Sequence, residues 1–284
     1  GGATAAKGFQ AACTAAGIKY ENRTDMAMLY SQVPCRVAGT FTTNLVKAAP
    51  VLWDRDIVKN SEYAQAVVVN AGIANACTGQ EGLDYCQKTA DQAAKVLGIP
   101  ASAVCVASTG VIGKQLPIDR IMAGVEALAP KLADGVKAGN AAAKAIMTTD
   151  TVSKEVAVSF TLDGKTCHLG GMAKGSGMIH PNMATTLNCI TTDAAISAEL
   201  LQTALSDVVK VTYNCLSVDG DQSTNDTCMV MASGLAGNAE ITEQNADYAV
   251  FRQALYIVMM NLTRKLAKDG EGASKLLDST VPKA

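Results

Sequence analysis

Histidine is nearly absent: the 284 residues contain only His168 and His180. Two histidines do not support a zinc site of the usual ligand spacing. They also make a Ser-His-Asp triad hard to build, because His168 falls in an expected strand. An enzyme of this composition that works through a covalent intermediate therefore needs another base. Strong charge of either sign is missing as well. The formal net charge is −2, which leaves no electrostatic footprint for nucleic acid or an anionic membrane. No apolar run approaches the length of a membrane span. The opening GGATAAKGFQ lacks the regions of a signal peptide, and it lacks a Met, so a processed or trimmed start is expected. Nine cysteines are present, an odd number with no C-x-x-C pair, and several sit inside apolar runs. That pattern predicts reduced, mostly buried thiols in a cytoplasmic protein and no disulfide framework.

What is present is ample apolar material, 49% of the chain, enough for one large domain or two smaller ones. Short strands are expected at Ile18 to Tyr20, Met26 to Tyr30 and Arg36 to Phe41, with polar turns between them. Ala64 to Val69 and Val104 to Ala107 read as buried strands. Each runs into a small-residue stretch that reads as a loop, Asn70 to Ala76 and Ser108-Thr109-Gly110. Helical spacing covers Gly82 to Leu97, a stretch from Pro117 to about Ala133, and Asn140 to Met147. Alternating Val156, Val158 and Phe160 with Asp163-Gly164 predict a hairpin. Leu187 to Thr192 and Cys228 to Ala232 read as strands, and Ser197 as the cap of a helix to about Tyr213. The longest helix is expected from about Asn245 to Lys268, followed by a strand after Ser274. Interleaved strands and helices with several hairpins point to an α+β fold, a layered α/β sandwich with a mixed sheet.

The stretch from Gly170 to Asp193, GGMAKGSGMIHPNMATTLNCITTD, stands apart. Its glycines suit a site where backbone approaches a ligand closely. Thr185, just before an expected strand, is the candidate nucleophile. A threonine hydroxyl needs something to take its proton. With histidine scarce, the threonine's own α-amine is a suitable base, its pKa lying near 8. That amine exists only after cleavage of the Ala184–Thr185 bond. His180, five residues upstream, is the competing base, and the adjacent Thr186 is the competing nucleophile. Asp219, Asp221 and Asp226 do not have EF-hand spacing, and the terminal Glu of such a loop is missing. Asn225 and Asp226 are candidates for supporting that site.

KGSGMIHPNMATTL resembles the signature of the ornithine acetyltransferases, also called bifunctional glutamate N-acetyltransferases. The similarity extends in order to VASTGVIG, to Thr148-Thr149-Asp150, to SVDGDQSTNDT and to DGEGA, and so spans essentially the whole chain. It implies an N-terminal-nucleophile-like fold and self-cleavage at Ala184/Thr185. The result would be segments 1–184 and 185–284, paired as a heterodimer that assembles into a heterotetramer. It implies that Thr185 carries the acetyl group, that Thr109 and Gly110 form the oxyanion hole, and that Thr148, Lys174 and Glu271 bind substrate. Lys174 suits a carboxylate and Glu271 an ornithine ammonium. The implied reaction moves acetyl from N2-acetylornithine to glutamate in arginine biosynthesis, with no metal or organic cofactor and with acetyl-CoA as an additional possible donor. Family members continue past the end of this chain with further substrate-binding residues, so a C-terminal part is expected to be missing. Two alternatives stand beside this reading: a related self-cleaving aminopeptidase or amidase, and a non-catalytic amino-acid-binding relative.

Overall fold

The computed structural model describes residues 1–182 and 186–279. Its strands are β1 (Phe9–Thr14), β2 (Met26–Phe41), β3 (Ala64–Ile73), β4 (Val104–Val111), β5 (Lys154–Leu162), β6 (Lys165–Lys174), β7 (Leu187–Thr192) and β8 (Thr227–Ala232). The α-helices are α1 (Ala49–Asn60), α2 (Gly79–Leu97), α3 (Ile118–Leu128), α4 (Gly135–Ala145), α5 (Ala198–Lys210) and α6 (Ala246–Lys268). None of the described helices is long and apolar enough to cross a membrane. The strand order is β4-β3-β2-β8-β7-β6-β5, with β1 also on β2. The β3–β4 and β7–β8 pairs are parallel and the others antiparallel, which is the mixed sheet expected.

β2 joins two sheets. Its first part pairs with β1 and β3, and Arg36 to Phe41 pair with β8. The two short strands expected here are thus one strand. What separates them is a register shift between Tyr30 and Cys35, not a turn. Pro34 lies inside that irregularity, where its missing N–H costs no ladder bond.

Side-chain alternation assigns the layers. In β3, Ala66 and Val68 pack with α2 and α3, while Val67 and Val69 enter the core between the sheets. In β7 and β8, Cys189, Met229 and Met231 enter that same central core, while Ile190 and Val230 face α5 and α6. The order is therefore helices, sheet, sheet, helices. Strands covered on both faces lose polar alternation and read as continuous apolar runs, as AQAVVV does. α6 presents Phe251, Leu255, Val258, Leu262 and Leu266 to the outer core, as its stripe predicts. Truncating Leu262 to alanine there should cost about 2–5 kcal/mol.

The hairpin between β5 and β6 turns at Asp163 (φ 47°) and Gly164 (φ 68°), both left-handed, as a two-residue primed turn requires. Ser197 and Asn245 cap α5 and α6 by accepting from Leu200 N and Tyr248 N. Three further expectations fail. Ile18 to Tyr20 is irregular, because the Asp25 carboxylate takes the N–H groups of Ala16 and Ile18 at 2.7 Å each in place of a neighbouring strand. Among the described residues no strand follows Ser274: residues 273–279 are exposed and form no strand. The stretches Asn70-Ala71-Gly72 and Ser108-Thr109-Gly110, expected as loops, are instead the parallel-paired ends of β3 and β4. Each supplies the other's backbone partner, a long-range fact that neither segment shows alone.

Candidate active site

β4 carries Thr109 and Gly110 beside Ala71 and Gly72 of β3, at a point where the register becomes irregular. Gly110 has φ 133°, and a Cβ there would stand 2.2 Å from the carbonyl carbon of Gly72. Only glycine fits. β6 ends at Lys174, whose register partner is Leu187, the first residue of β7. The chain between them holds the Lys-Gly-Ser-Gly motif and the Ala184–Thr185 bond. Ala184 and Thr185 lie outside the described residues.

A cavity of about 460 Å³ opens at this point. Thr109, Gly110, Thr148, Lys174 and Glu271, far apart in sequence, all line it. Lys174 is buried. Its Nζ donates to Thr109 Oγ1 at 3.2 Å and lies 3.8 Å from Asp150 Oδ2. Burial lowers its pKa, with Asp150, Asp226 and Glu271 acting against that and the neighbouring Lys154 adding to it. Asp150 accepts from Thr148 N (3.1 Å), Gly175 N (2.7 Å) and Lys154 Nζ (2.7 Å). Burial alone would raise its pKa, but Lys174, Lys154 and the Gly175 N–H outweigh burial and hold it below the ordinary 3.8.

Glu271 follows the C-terminal end of α6. Its N–H donates to Ser176 O at 2.7 Å, and Thr149 Oγ1 meets Ser176 Oγ at 2.7 Å. The Glu271 carboxyl lies so close to Gly177 that a Cβ there would stand 2.7 Å from Glu271 Cδ. The Lys-Gly-Ser-Gly glycine thus makes room for a side chain nearly a hundred positions later.

The chain just after the undescribed residues is anchored in the interior. Thr186 N donates to Asp226 Oδ1 at 3.0 Å, and burial pushes the Asp226 carboxyl well above its ordinary value. The preceding residue, Asn225, donates from Nδ2 to Ser108 O at 2.8 Å and Ala74 O at 2.6 Å. The Asn225-Asp226 pair therefore ties the strand bearing Thr109 to the residue after Thr185. The two competing candidates fare differently. Thr186 is buried and its hydroxyl accepts from Asn188 Nδ2 at 2.6 Å, away from the cavity lining. His180 is exposed and does not line the cavity.

Several lining residues carried no signal in the sequence. Arg23 donates to Met147 O (2.8 Å) and Thr148 O (3.2 Å), and Asp25 organises the irregular turn opposite Gly72. Both sit in what reads as an ordinary polar turn. Asp219 accepts from Met178 N (2.6 Å), Ile179 N (2.8 Å) and Asp221 N (3.1 Å). These N–H groups outweigh the effect of burial and hold its pKa low. This aspartate orders the loop after Gly177 and has no need of a calcium ion. With Lys19, Arg23 and Lys174 against Asp25, Asp219 and Glu271, the walls carry both signs, a match for a zwitterion. Among the described residues no group of acidic, His or Cys side chains is arranged to hold a metal.

The ArgJ family model matches residues 10–284. The arginine biosynthesis bifunctional protein ArgJ 1 of Clostridium acetobutylicum is 50% identical over 276 residues, 96% of this chain and 66% of the relative. The ArgJ of Symbiobacterium thermophilum is 50% identical over 283 residues, 99% of this chain and 70% of the relative. The chain thus spans about two thirds of the length of these curated relatives. Among solved structures, ArgJ of Bacillus halodurans matches with TM-score 0.60 and 42% identity, covering 65% of this chain and 95% of that one. The ornithine acetyltransferase of Mycobacterium tuberculosis, solved with ornithine, matches with TM-score 0.57 and 38% identity, covering 66% and 96%. An aminopeptidase of Ochrobactrum anthropi described as a variant of the Ntn hydrolase fold matches at TM-score 0.54 over 92% of this chain and 85% of its own, with 11% identity, a likeness of fold alone. A family model that spans nearly the whole chain, and relatives half identical to it throughout, make this chain a member of the ArgJ family.

Proposed function

We propose that this chain is an ornithine acetyltransferase: it moves the acetyl group of N2-acetylornithine to glutamate through an acetyl ester on Thr185, after the Ala184–Thr185 bond has been broken. The observation that carries this reading is the convergence of Thr109, Gly110, Thr148, Lys174 and Glu271 on one cavity, at the strand junction that contains Thr185. The names of the relatives, arginine biosynthesis bifunctional proteins and an ornithine acetyltransferase, support it.

In the cleavage step, Thr185 Oγ attacks the Ala184 carbonyl carbon and the acyl group shifts from N to O. Water then hydrolyses the ester, leaving a carboxylate on Ala184 and a free amine on Thr185. In the transfer step, that amine takes the hydroxyl proton as Oγ attacks the acetyl carbonyl. The proton passes to the departing nitrogen, ornithine leaves, and the glutamate amine attacks acetyl-Thr185 in the reverse sense. Acetyl-CoA as an additional donor would enter at the same ester.

Thr109 and Gly110 serve the oxyanion in this account. Lys174 supports them: because its ammonium donates to Thr109 Oγ1, the hydroxyl proton is free to point at developing charge. One such donor is worth roughly 3 kcal/mol of transition-state stabilisation. Glu271 receives the ornithine ammonium and Thr148 the amino-acid backbone end. The steps need no metal or organic cofactor. The two fragments stay together as a heterodimer, pair into a heterotetramer, and work in the cytoplasm.

The test is a transfer assay with N2-acetylornithine, with and without glutamate. Acetylglutamate formed only by protein with an intact Thr185, and lost in Thr185→Ala, is the expected result. Acetate release at the same rate without glutamate would instead mark a hydrolase.

A further inference from the structure

Lys154 has no part in the chemistry above, yet it is among the largest fully buried side chains. Its Nζ stands 2.7 Å from Asp150 Oδ1 and 2.5 Å from Asp269 Oδ2, and it also donates to Val152 O at 3.3 Å. The side chains of these partners are 0 and 6% exposed. A sealed ion pair is a poor way to gain stability, because apolar residues of the same volume would do as well or better. Such a pair is better understood through what its members hold.

Each carboxylate holds a different wall of the cavity. Asp150 takes the N–H groups of Thr148 and Gly175 and faces Lys174, which in turn donates to Thr109. Asp269 caps the end of α6, takes the N–H and hydroxyl of Thr151, and stands two residues before Glu271. Thr109, Lys174, Asp150, Lys154 and Asp269 thus form one line of polar contacts from the acyl end of the cavity to the segment bearing Glu271. Lys154 is the joint between its halves, and every group in the line makes at least one contact of hydrogen-bond length.

We propose that Lys154 is a positioning residue that sets the span between the Thr109–Lys174 end of the cavity and Glu271, and so selects the diamino-acid donor by the length of its side chain. The inference rests on the acetyl-transfer reading. Without the Lys154 ammonium, Asp150 keeps Lys174 as its only cation and draws it away from Thr109. Asp269 loses its buried partner and the start of the Glu271 segment is released. The span then widens or varies, and discrimination by one methylene is lost.

The test uses the full-length protein with two donors, N2-acetylornithine and its homologue one methylene longer, N2-acetyllysine. In Lys154→Met, kcat/KM for acetylornithine should fall about tenfold or more, through kcat as Lys174 leaves Thr109 and through KM as the Glu271 segment is released, and the preference over acetyllysine should collapse toward unity. Asp269→Asn, which keeps the side-chain shape, should reproduce the collapse more mildly and serves if Lys154→Met fails to fold. In a Glu271→Gln background, Lys154→Met should no longer change the donor ratio, because the two residues act through one span. A donor ratio that stays at the wild-type value in both variants, or changes equally in either background, overturns the inference. A wild-type protein that transfers acetyl from neither donor contradicts the function itself and removes this inference with it. An active wild type with unchanged ratios in the variants overturns the inference alone.

Discussion

Lys174 Nζ and Thr109 Oγ1 meet at 3.2 Å inside the protein, one at the end of β6 and the other near the end of β4. The strands belong to different halves of the sandwich, so this one contact registers the two sheets against each other at the cavity. It also places a buried cation behind a hydroxyl group. Removing the cation should remove the orientation of the hydroxyl. Lys174→Met is expected to lower kcat by about a hundredfold, on the scale of a lost oxyanion donor. Lys174→Arg should not restore it, because a planar guanidinium cannot take the place of a compact ammonium beside Asp150. Steady-state acetyl transfer checks both.

Gly110→Ala should damage the fold before it damages catalysis. Its Cβ would stand 2.2 Å from Gly72 C, and φ 133° is closed to alanine. A loss of at least ~2 kcal/mol is expected in chemical denaturation. Gly113→Ala is the comparison: its φ is 77° but nothing lies within 4 Å of the added Cβ, so the loss there should be clearly smaller.

Much of this was legible in the sequence, and the limits have physical causes. The β5–β6 hairpin, β7, the cap Ser197 and the start and stripe of α6 are local signals, and each formed where expected. The site residues were legible only through motifs. Nothing near Thr109 shows that Lys174 will donate to it, and nothing near Gly177 shows that Glu271 will press against it. The errors cluster where a long-range partner decides the outcome. Asn70 to Gly72 and Ser108 to Gly110 become strands only because they pair with each other, and Ile18 to Tyr20 fails to become one because Asp25 takes its N–H groups. Arg23 and Lys154 went unread for the same reason: their partners are Met147, Thr148 and Asp269.

Asp226 offers a test of protonation state. Burial raises its pKa well above 3.8, against the Thr186 N–H and the Lys174 charge, and one carboxyl oxygen accepts from Thr186 N. Asp226→Asn keeps a neutral acceptor of the same shape and should cost under ~1 kcal/mol. Asp226→Ala strands the buried Thr186 N–H and should cost about 1–3 kcal/mol while slowing cleavage at Ala184/Thr185. Denaturation curves and the cleaved fraction after expression read these effects.

The acid limb of stability should depend on Asp150 and Asp269. Both are held below the ordinary 3.8, where burial opposes the shift and their lysine partners and N–H donors prevail. A carboxyl with a depressed folded-state pKa adds stability that is fully present above its unfolded value, near 3.9. That stability is lost as pH falls through the lower folded value. Asp226 acts in the opposite sense: its raised pKa favours the fold at low pH and loses that contribution as pH rises through the raised value. Thermal unfolding between about pH 2 and 6 should therefore show wild type losing more stability toward acid than Asp269→Asn, which lacks one depressed group. Parallel curves would contradict the ion-pair assignment of Lys154 and Asp269.

The central claim is that Thr185 becomes a chain end and then carries acetyl. Intact-mass analysis of protein expressed from one full-length gene tests it most directly. Two fragments that divide between Ala184 and Thr185 are predicted, with an adduct of about 42 Da on the fragment beginning at Thr185 after mixing with N2-acetylornithine, discharged on adding glutamate. A single uncleaved chain that acquires no acetyl group would contradict it.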